Sequence, residues 1–413
     1  MAEENNIDAL TFIEDNDVKF IRMQFTSLFG QNKNIAISNT QFQHILFTGV
    51  AFDGSAIEGY FETEDETYRL YPDLSTMQIL PWRPQRGKVA RLICDIKKNK
   101  DEYAQSDCRH ILRKQIIKAE KAGYHFDFGT ECEFFLFKID ENGQPITVPS
   151  DEAGYLDLAP VDKGENTRRE IILTLENMGF EIESSHHESA KGQHEIDFSN
   201  AETLEAADNL MTFKHVVKTI AGRNGYHASF MPKPLNGESG SGMHINVGFS
   251  DNLPGDHSMT QAEAESFAKG VMTHIDAITA LANPLINSYK RLCENRQSKG
   301  QFISGYRLIQ HQNGYSIQFR TPDPSCNPYL VYATILAAGL EGLEGLVEGD
   351  IKVDQKLPAS LKEALDAMEK DTMIETVLGE KIKRIYLEKK RQEVNDFMTC
   401  VHAWETEHYF KYI

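Results

Sequence analysis

Four short segments of this sequence carry polar side chains at spacings that could converge on one cation. Thr130-Glu131-Cys132-Glu133-Phe134-Phe135-Leu136-Phe137 sets two carboxylates at i and i+2 at the head of an apolar run. Side chains two apart in a β-strand share a face, roughly 7 Å from each other. Two glutamates beside phenylalanines cost stability unless something cationic neutralises them. His186 to Phe198 supplies Glu188, a glycine turn, and then Glu195 on a new alternating strand. Gly240-Ser241-Gly242 runs into a strand with His244 and Asn246 on one face, and Ser316 to Arg320 again sets polar groups at i and i+2. Oxygen ligands with one imidazole suit Mg²⁺ or Mn²⁺ better than zinc, and a phosphate-bearing substrate is the expected partner of such an ion. Each pair taken singly fits an ordinary half-exposed strand with a charged outer face, and His244 alone fits a satisfied core histidine. Four pairs together point to a metal site: if their strands are neighbours, one sheet face is a carboxylate-rich groove.

The elements that must position these residues can be traced along the chain. The first hundred residues are strand-rich, with Lys19 to Phe25 alternating (Ile21, Met23 and Phe25 on one side) and Val89 to Ile96 a second strand. Lys97 to Ser106 is charged and polar and reads as a linker, dividing the chain into domains at 1–102 and 103–413. Asp107 caps a helix to Lys121 with Ile111, Leu112, Ile116 and Ile117 as its stripe and Gly123 as its stop. Further helices are expected over Arg168–Met178, Leu204–Ile220, and from the Thr260/Glu263 capping box to Asn283-Pro284. The last is expected from Ser360 to about Trp404, where Lys389-Lys390-Arg391 reads as a solvated face.

A chain of 413 residues suggests roughly two to three domains. Its net charge of −19 leaves no basic field to recruit nucleic acid or an anionic membrane. No apolar stretch is long enough for a membrane helix, and the Met-Ala-Glu-Glu-Asn-Asn start does not read as a secretory signal. Six scattered cysteines without a Cys-x-x-Cys pair read as reduced thiols of a cytoplasmic protein.

Taken in order, these segments resemble the type I glutamine synthetase family. So do Phe52-Asp53-Gly54-Ser55-Ala56-Ile57-Glu58-Gly59, Phe230-Met231-Pro232-Lys233-Pro234, Asn287-Ser288-Tyr289-Lys290-Arg291-Leu292, Arg320-Thr321-Pro322-Asp323-Pro324 and His402-Ala403-Trp404-Glu405. The resemblance implies an α+β fold: a small N-terminal β-grasp-like domain and a larger C-terminal α/β domain with a curved antiparallel sheet. It implies a homo-oligomer of stacked hexameric rings, a dodecamer, with each site completed by a neighbour's N-terminal domain. The implied reaction uses ATP and divalent ions to join glutamate and ammonia. Matched residue by residue, Glu133, Glu188 and Glu195 correspond to the ligands of one ion, and Glu131, His244 and Gln318 to those of the other. Arg291 and Arg320 look like the arginines holding substrate carboxylate and phosphate. Gly240 and Ser239 lie in the substrate turn, Asn246 and Gly248 at nucleotide-site positions, and Asp53 resembles the carboxylate that helps bind and deprotonate ammonium.

The departures from the family fall on the chemistry. After Leu292 the family's Pro-Gly-Tyr-Glu-Ala-Pro loop is replaced by the shorter Cys293-Glu294-Asn295-Arg296-Gln297-Ser298-Lys299-Gly300. Gln318 stands for a ligand Glu, Ser239 for Asn, Gly248 for Ser, and Glu62 for an arginine. Arg296 and Arg307 are the remaining candidates for phosphate, and the Asn-Leu-Tyr segment that some members modify with AMP is missing. Two functions follow as expectations: a metal- and nucleotide-binding homologue with ligase activity strongly impaired or lost, or a working ATP-dependent glutamate–ammonia or γ-glutamyl–amine ligase. A structural role in mixed rings with an active paralogue is a third, and glutamate, glutamine or nucleotide is the expected small-molecule ligand.

Overall fold

The computed structural model describes residues 2–59, 67–250, 258–297, 305–348 and 356–413; the side chains of 2–7 and 294–297 are not described. The first sheet is built from β1 (Val18–Thr26), β2 (Asn32–Ser38), β3 (Val50–Phe52), β4 (Tyr68–Pro72), β5 (Gln78–Ile79) and β6 (Lys88–Lys97), with helices α1 (Ala2–Asp15) and α2 (Asn39–Thr48). Its order is β2-β1-β6-β4-β3, with β5 on β6 and a parallel β1–β6 pair. The alternation expected over residues 19–25 holds: Ile21, Met23 and Phe25 are buried with Phe42, Leu70 and Leu92.

The remaining described residues form a second sheet packed against helices. In order these are α3 (Cys108–Lys121), β7 (Phe126–Ile139), β8 (Pro145–Pro149), α4 (Glu165–Glu176), β9 (Ile182–His187), β10 (Gln193–Glu202), α5 (Thr203–Arg223), β11 (Tyr226–Ser229) and β12 (Met243–Phe249). There follow α6 (Gln261–Thr273), α7 (Ile275–Ala282), α8 (Ile286–Gln297), β13 (Tyr306–Gln310), β14 (Tyr315–Phe319), α9 (Pro328–Leu343), α10 (Leu361–Lys370), α11 (Thr372–Leu378), α12 (Glu380–Thr399) and α13 (Ala403–Tyr409). The antiparallel order is β13-β14-β12-β7-β10-β9, with β8 and β11 also on β7. Cys132 and Phe134 of β7 are buried in the core among the helices, so the odd-numbered Glu131 and Glu133 face the other way. The architecture is the expected α+β arrangement of a β-grasp sheet and a larger, curled antiparallel sheet.

Several boundaries differ from the sequence reading for local reasons. Asp107 caps α3 through the Arg109 and His110 amides as expected, but Ile117 is exposed, because the buried stripe runs through Ile111, Leu112 and Gln115. The α4 helix starts at Glu165, after Gly164, and ends before Met178. The capping box of α6 is present, yet the helix breaks at His274, whose backbone leaves the helical range while its ring is taken by two carboxylates. The C-terminal stretch is four helices, interrupted at Asp371, Gly379 (φ 81°) and Cys400. Its basic run is not a bare solvated face. Lys390 is buried on Glu393, Lys389 pairs with Glu58, and Arg391 with Asp366 and Glu369. All six cysteines are free, and among the described residues no helix is long and apolar enough to cross a membrane.

Candidate metal centre

The four polar segments occupy consecutive strands, β14, β12, β7 and β10. On one side of β7, the β10 register sets Glu195 opposite Glu133 and Asp197 opposite Glu131. On the other side, β12 sets His244 opposite Glu131, and β14 sets Gln318 opposite Asn246. A slip of one residue in either ladder would turn these groups into the core, so burial of the opposite face fixes the register.

A first cluster gathers at the β9–β10 turn. Ligand atoms of His186, Glu188 and Glu195 lie within 4.8 Å of one another. His186 Nε2 is 2.8 Å from Glu188 Oε1 and 3.4 Å from Glu195 Oε2. Glu133 joins them across the ladder, its Oε2 accepting from Gln193 Nε2 (2.7 Å) and the Gly242 amide (3.0 Å). Burial, then Glu133, Asp197 and Glu188, push the Glu195 carboxyl up to about 10. Burial likewise pushes Glu133 up to about 8, with Glu188 adding to the rise and the Gly242 amide opposing it. Carboxylates that cannot all be ionised together are what a hard divalent cation relieves; of the three expected ligands, Glu188 and Glu195 converge with His186, while Glu133 faces Glu195 across the ladder without belonging to that converging group.

The second cluster is different in kind. Glu131 Oε1 accepts from Asn246 Nδ2 (2.9 Å) and Gln318 Nε2 (2.8 Å), and Oε2 lies 2.8 Å from His244 Nδ1. Burial raises the Glu131 pKa, but these donors outweigh it and hold the carboxyl below its usual range. Arg320 Nε lies 3.4 Å from His244 Nε2. Ligand atoms of Glu131, His244 and Glu195 also lie within 4.8 Å of one another, and burial and the Glu131 charge hold the neighbouring Asp197 carboxyl above its usual range.

The turn carrying Glu188 is held by residues that the sequence reading did not single out. Buried His187 places Nε2 3.0 Å from Asp151 Oδ1 and Nδ1 2.7 Å from the Glu188 carbonyl. Asp151 Oδ1 also accepts the Gly192 amide at 3.1 Å, so one carboxylate ties both ends of the turn. Burial lowers the His187 pKa, but the Asp151 hydrogen bond more than restores it, and the net shift is upward. Asp151, Asp162, His187 and His194 could geometrically surround a metal, but Arg168 lies among them, 2.6 Å from Asp162 and 2.9 Å from His194 Nδ1. A guanidinium there takes the cation's place. Neither Asp151 nor His187 stands in a pattern that would have flagged it.

Other expected site residues are placed as follows. Arg291 is buried, its Nη2 donating to Asn283 Oδ1 (3.1 Å) and to the Thr321 and Pro322 carbonyls, while its Nε has no partner among the described residues. Burial lowers its pKa against the pull of Asp323 and Glu133. Gly240 must be glycine, since a Cβ would lie 2.4 Å from the Pro232 carbonyl and 2.9 Å from Arg291 Cγ. Ser239 is exposed beside it, and Gly248 pairs with Asp127 further along β12. Asp53 is not brought to the groove by this chain: it sits exposed after β3, accepting from the Ser55 amide (2.9 Å) and hydroxyl (2.6 Å). Arg307 is exposed opposite Gln318. The Glu294 and Arg296 side chains and Glu62 lie outside the described residues.

Comparison with known proteins places this geometry. The family description "Glutamine synthetase, beta-Grasp domain" matches residues 17–99 and "Glutamine synthetase, catalytic domain" matches residues 105–409. The chain is 42% identical over 444 residues to a glutamine synthetase of Clostridium saccharobutylicum, covering 99% of each chain. It is 41% identical over 432 residues to one of Methanosarcina mazei, covering 97% of each. A solved GmaS/ADP complex superposes with a TM-score of 0.84 at 26% identity, over 97% of this chain and 99% of that one. The fold is also that of a Plasmodium falciparum glutamine synthetase, with a TM-score of 0.86 at 23% identity, over 98% of each chain.

Proposed function

Because the chain belongs to the glutamine synthetase family, we propose that it is a metal- and nucleotide-binding homologue acting in nitrogen metabolism, with glutamate–ammonia ligase activity strongly impaired or absent. The observation that carries this reading is Gln318. It puts a neutral amide, hydrogen-bonded to Glu131, where the reaction needs a charged ligand to hold a cation against phosphate. The segment after Leu292 adds to it, because no Pro-Gly frame aims a glutamate there. A positioned base typically contributes about 10²–10⁴-fold, and an unshielded acyl phosphate is lost to water.

Glu133, Glu188 and Glu195 would hold Mg²⁺ or Mn²⁺, which supplies charge neutralisation for a phosphate ligand; Glu188 and Glu195 have ligand atoms within 4.8 Å of one another, and Glu133 stands opposite Glu195 in the ladder. Arg291, Arg320, Ser239 and Gly240 would face the substrate, and Asn246 and Gly248 the nucleotide. The likeness to an ADP complex supports nucleotide binding. Exposure of Asp53 on the N-terminal sheet supports its use in a neighbouring copy's site, and so a homo-oligomer of stacked rings. We place the domain boundary at 102/103 and the protein in the cytoplasm. Glutamine formation and phosphate release from glutamate, ATP and ammonia test the reading. Turnover far below that of an active family member is expected, and an ordinary rate would end it.

A working ligase for a bulkier amine is the second reading. The aligned span of 444 residues exceeds the 413 of this chain, so part of the Clostridium protein has no counterpart here, and the first ion's ligands are kept. Phosphate release that depends on one member of a panel of amines would favour it.

A further inference from the structure

We propose that the cavity behind the second sheet, between the end of α3 and the start of α5, is a ligand site of its own and takes a small organic cation: an ammonium group carried on an aromatic or branched apolar body. The site is independent of the function proposed above, because none of the residues lining the cavity is an expected metal, substrate or nucleotide position.

The cavity has a volume of about 400 Å³, within the range of roughly 300–1,000 Å³ usual for small-molecule sites. Its place follows from the pleat of β7. Phe126 lies on the same side as Phe128, Cys132 and Phe134, which are buried among the helices, so the cavity is on the side away from Glu131 and Glu133. Hydrogen bonds to the main chain hold its walls: the Thr203 hydroxyl donates to the Phe126 carbonyl at 2.8 Å, and the Ser250 amide to the His125 carbonyl at 3.0 Å. Phe126 meets Phe249 edge-on with ring centroids 5.3 Å apart, and Tyr124 stacks on the same ring at 5.6 Å. The walls are therefore in place before a ligand arrives.

Ile117 indicates the apolar part of that ligand. It belongs to the stripe of α3 expected to be buried, yet it is 41% exposed, and it lines the cavity with Ile116, Leu204 and the buried Leu336. An apolar body seated there would take this surface out of water.

Charge decides the polar part. Arg113 on the wall is committed, its Nη1 donating to Asp95 at 2.7 Å and to the Tyr103 hydroxyl at 3.2 Å. Glu120 of α3 and Glu202 at the start of α5 line the cavity too, and neither side chain has a hydrogen bond or ion pair among the described residues. Burial, then the Glu202 charge, holds the neighbouring Glu205 carboxyl above its usual range, so this end of α5 is surrounded by negative charge. An anionic ligand would meet uncompensated carboxylates, whereas an ammonium group would pair with them. Both glutamates are exposed, so each pair contributes modestly and the apolar body supplies the rest.

Calorimetric titration of the full-length protein with phenethylamine, and with phenylpropionate as a probe of similar body and opposite charge, tests the site without any assay of turnover. One phenethylamine per chain is expected, with phenylpropionate weaker by about tenfold or more. Glu120→Gln and Glu202→Gln should each weaken the amine about two- to fivefold, and the double variant should lose the preference for it. Ile117→Trp, a change at an exposed position that puts bulk into the cavity, should abolish amine binding. No binding to the parent, or unchanged binding in Ile117→Trp, would overturn the site. Equal binding of phenylpropionate, or a preference that survives the double variant, would overturn the charge assignment. Leu204→Trp blocks the same cavity from α5, so the test stands even if Ile117→Trp fails to fold.

Discussion

Glu195 lies directly across the β10–β7 ladder from Glu133; burial, then Glu133, lifts the Glu195 carboxyl to about 10, and burial, then Glu188, lifts that of Glu133 to about 8. A carboxyl raised in the folded state holds a proton that the unfolded chain has released above its ordinary value of 4.5. The metal-free protein should therefore lose stability as pH rises from about 4.5 through about 8 and on to about 10. Glu195→Gln should raise the stability of the metal-free protein at about pH 8 by on the order of 1–3 kcal/mol and abolish the rise in Tm caused by Mn²⁺. Thermal unfolding with and without Mn²⁺ checks both effects. A Tm that Mn²⁺ still raises in this variant would contradict the assignment.

The two sheets are joined through Arg109 of α3. Its guanidinium reaches Asp73 (2.8 Å), Asp95 (2.9 Å) and Asp208 (2.8 Å), and Tyr329 adds a hydrogen bond to Asp208 at 2.7 Å. Arg109 is only 5% exposed, so removing it leaves buried Asp208 without its ion-pair partner, while Asp95 and Asp73 keep Arg113. Arg109→Met should cost about 3–5 kcal/mol by denaturant unfolding. A loss below about 1 kcal/mol would mean that the network does not couple the sheets.

His274, at the break between α6 and α7, donates to two carboxylates, Asp371 Oδ2 at 2.7 Å and Glu341 Oε2 at 3.1 Å. Burial lowers its pKa, but Asp371 and Glu341 outweigh this and raise it above 6.5. Its contribution is complete below 6.5 and is lost as pH rises through the raised value. At the acid end, burial raises the Asp371 pKa but the His274 bond lowers it below 3.8 on balance, so that contribution is lost as pH falls through the lowered value. His274→Gln should cost about 1–2 kcal/mol at about pH 6 and less at about pH 9. Unfolding of parent and variant at the two pH values measures the difference, and an equal cost at both would show that the ring acts by packing alone.

Sidedness and caps were legible without coordinates. The two-residue period of Glu131 and Glu133 against Cys132 and Phe134 needs only the pleat of a strand, and the caps at Asp107 and Thr260 need only the next turn of chain. The break at His274 was invisible because its cause, Asp371, is 97 residues away. Asp151 escaped for the same reason, as its partner His187 lies 36 residues further on.

Local residue order thus specified which side chains would face out of the second sheet and that they would be acidic. Folding decided what each would meet. Gln318 is 187 residues from Glu131 in the chain, and only the β14-β12-β7 register brings its amide to that carboxylate while leaving Glu195 and Glu133 to repel each other on the far side. Charge is a property of the residue, but whether it is compensated depends on the neighbour, and the neighbour is chosen by long-range strand pairing.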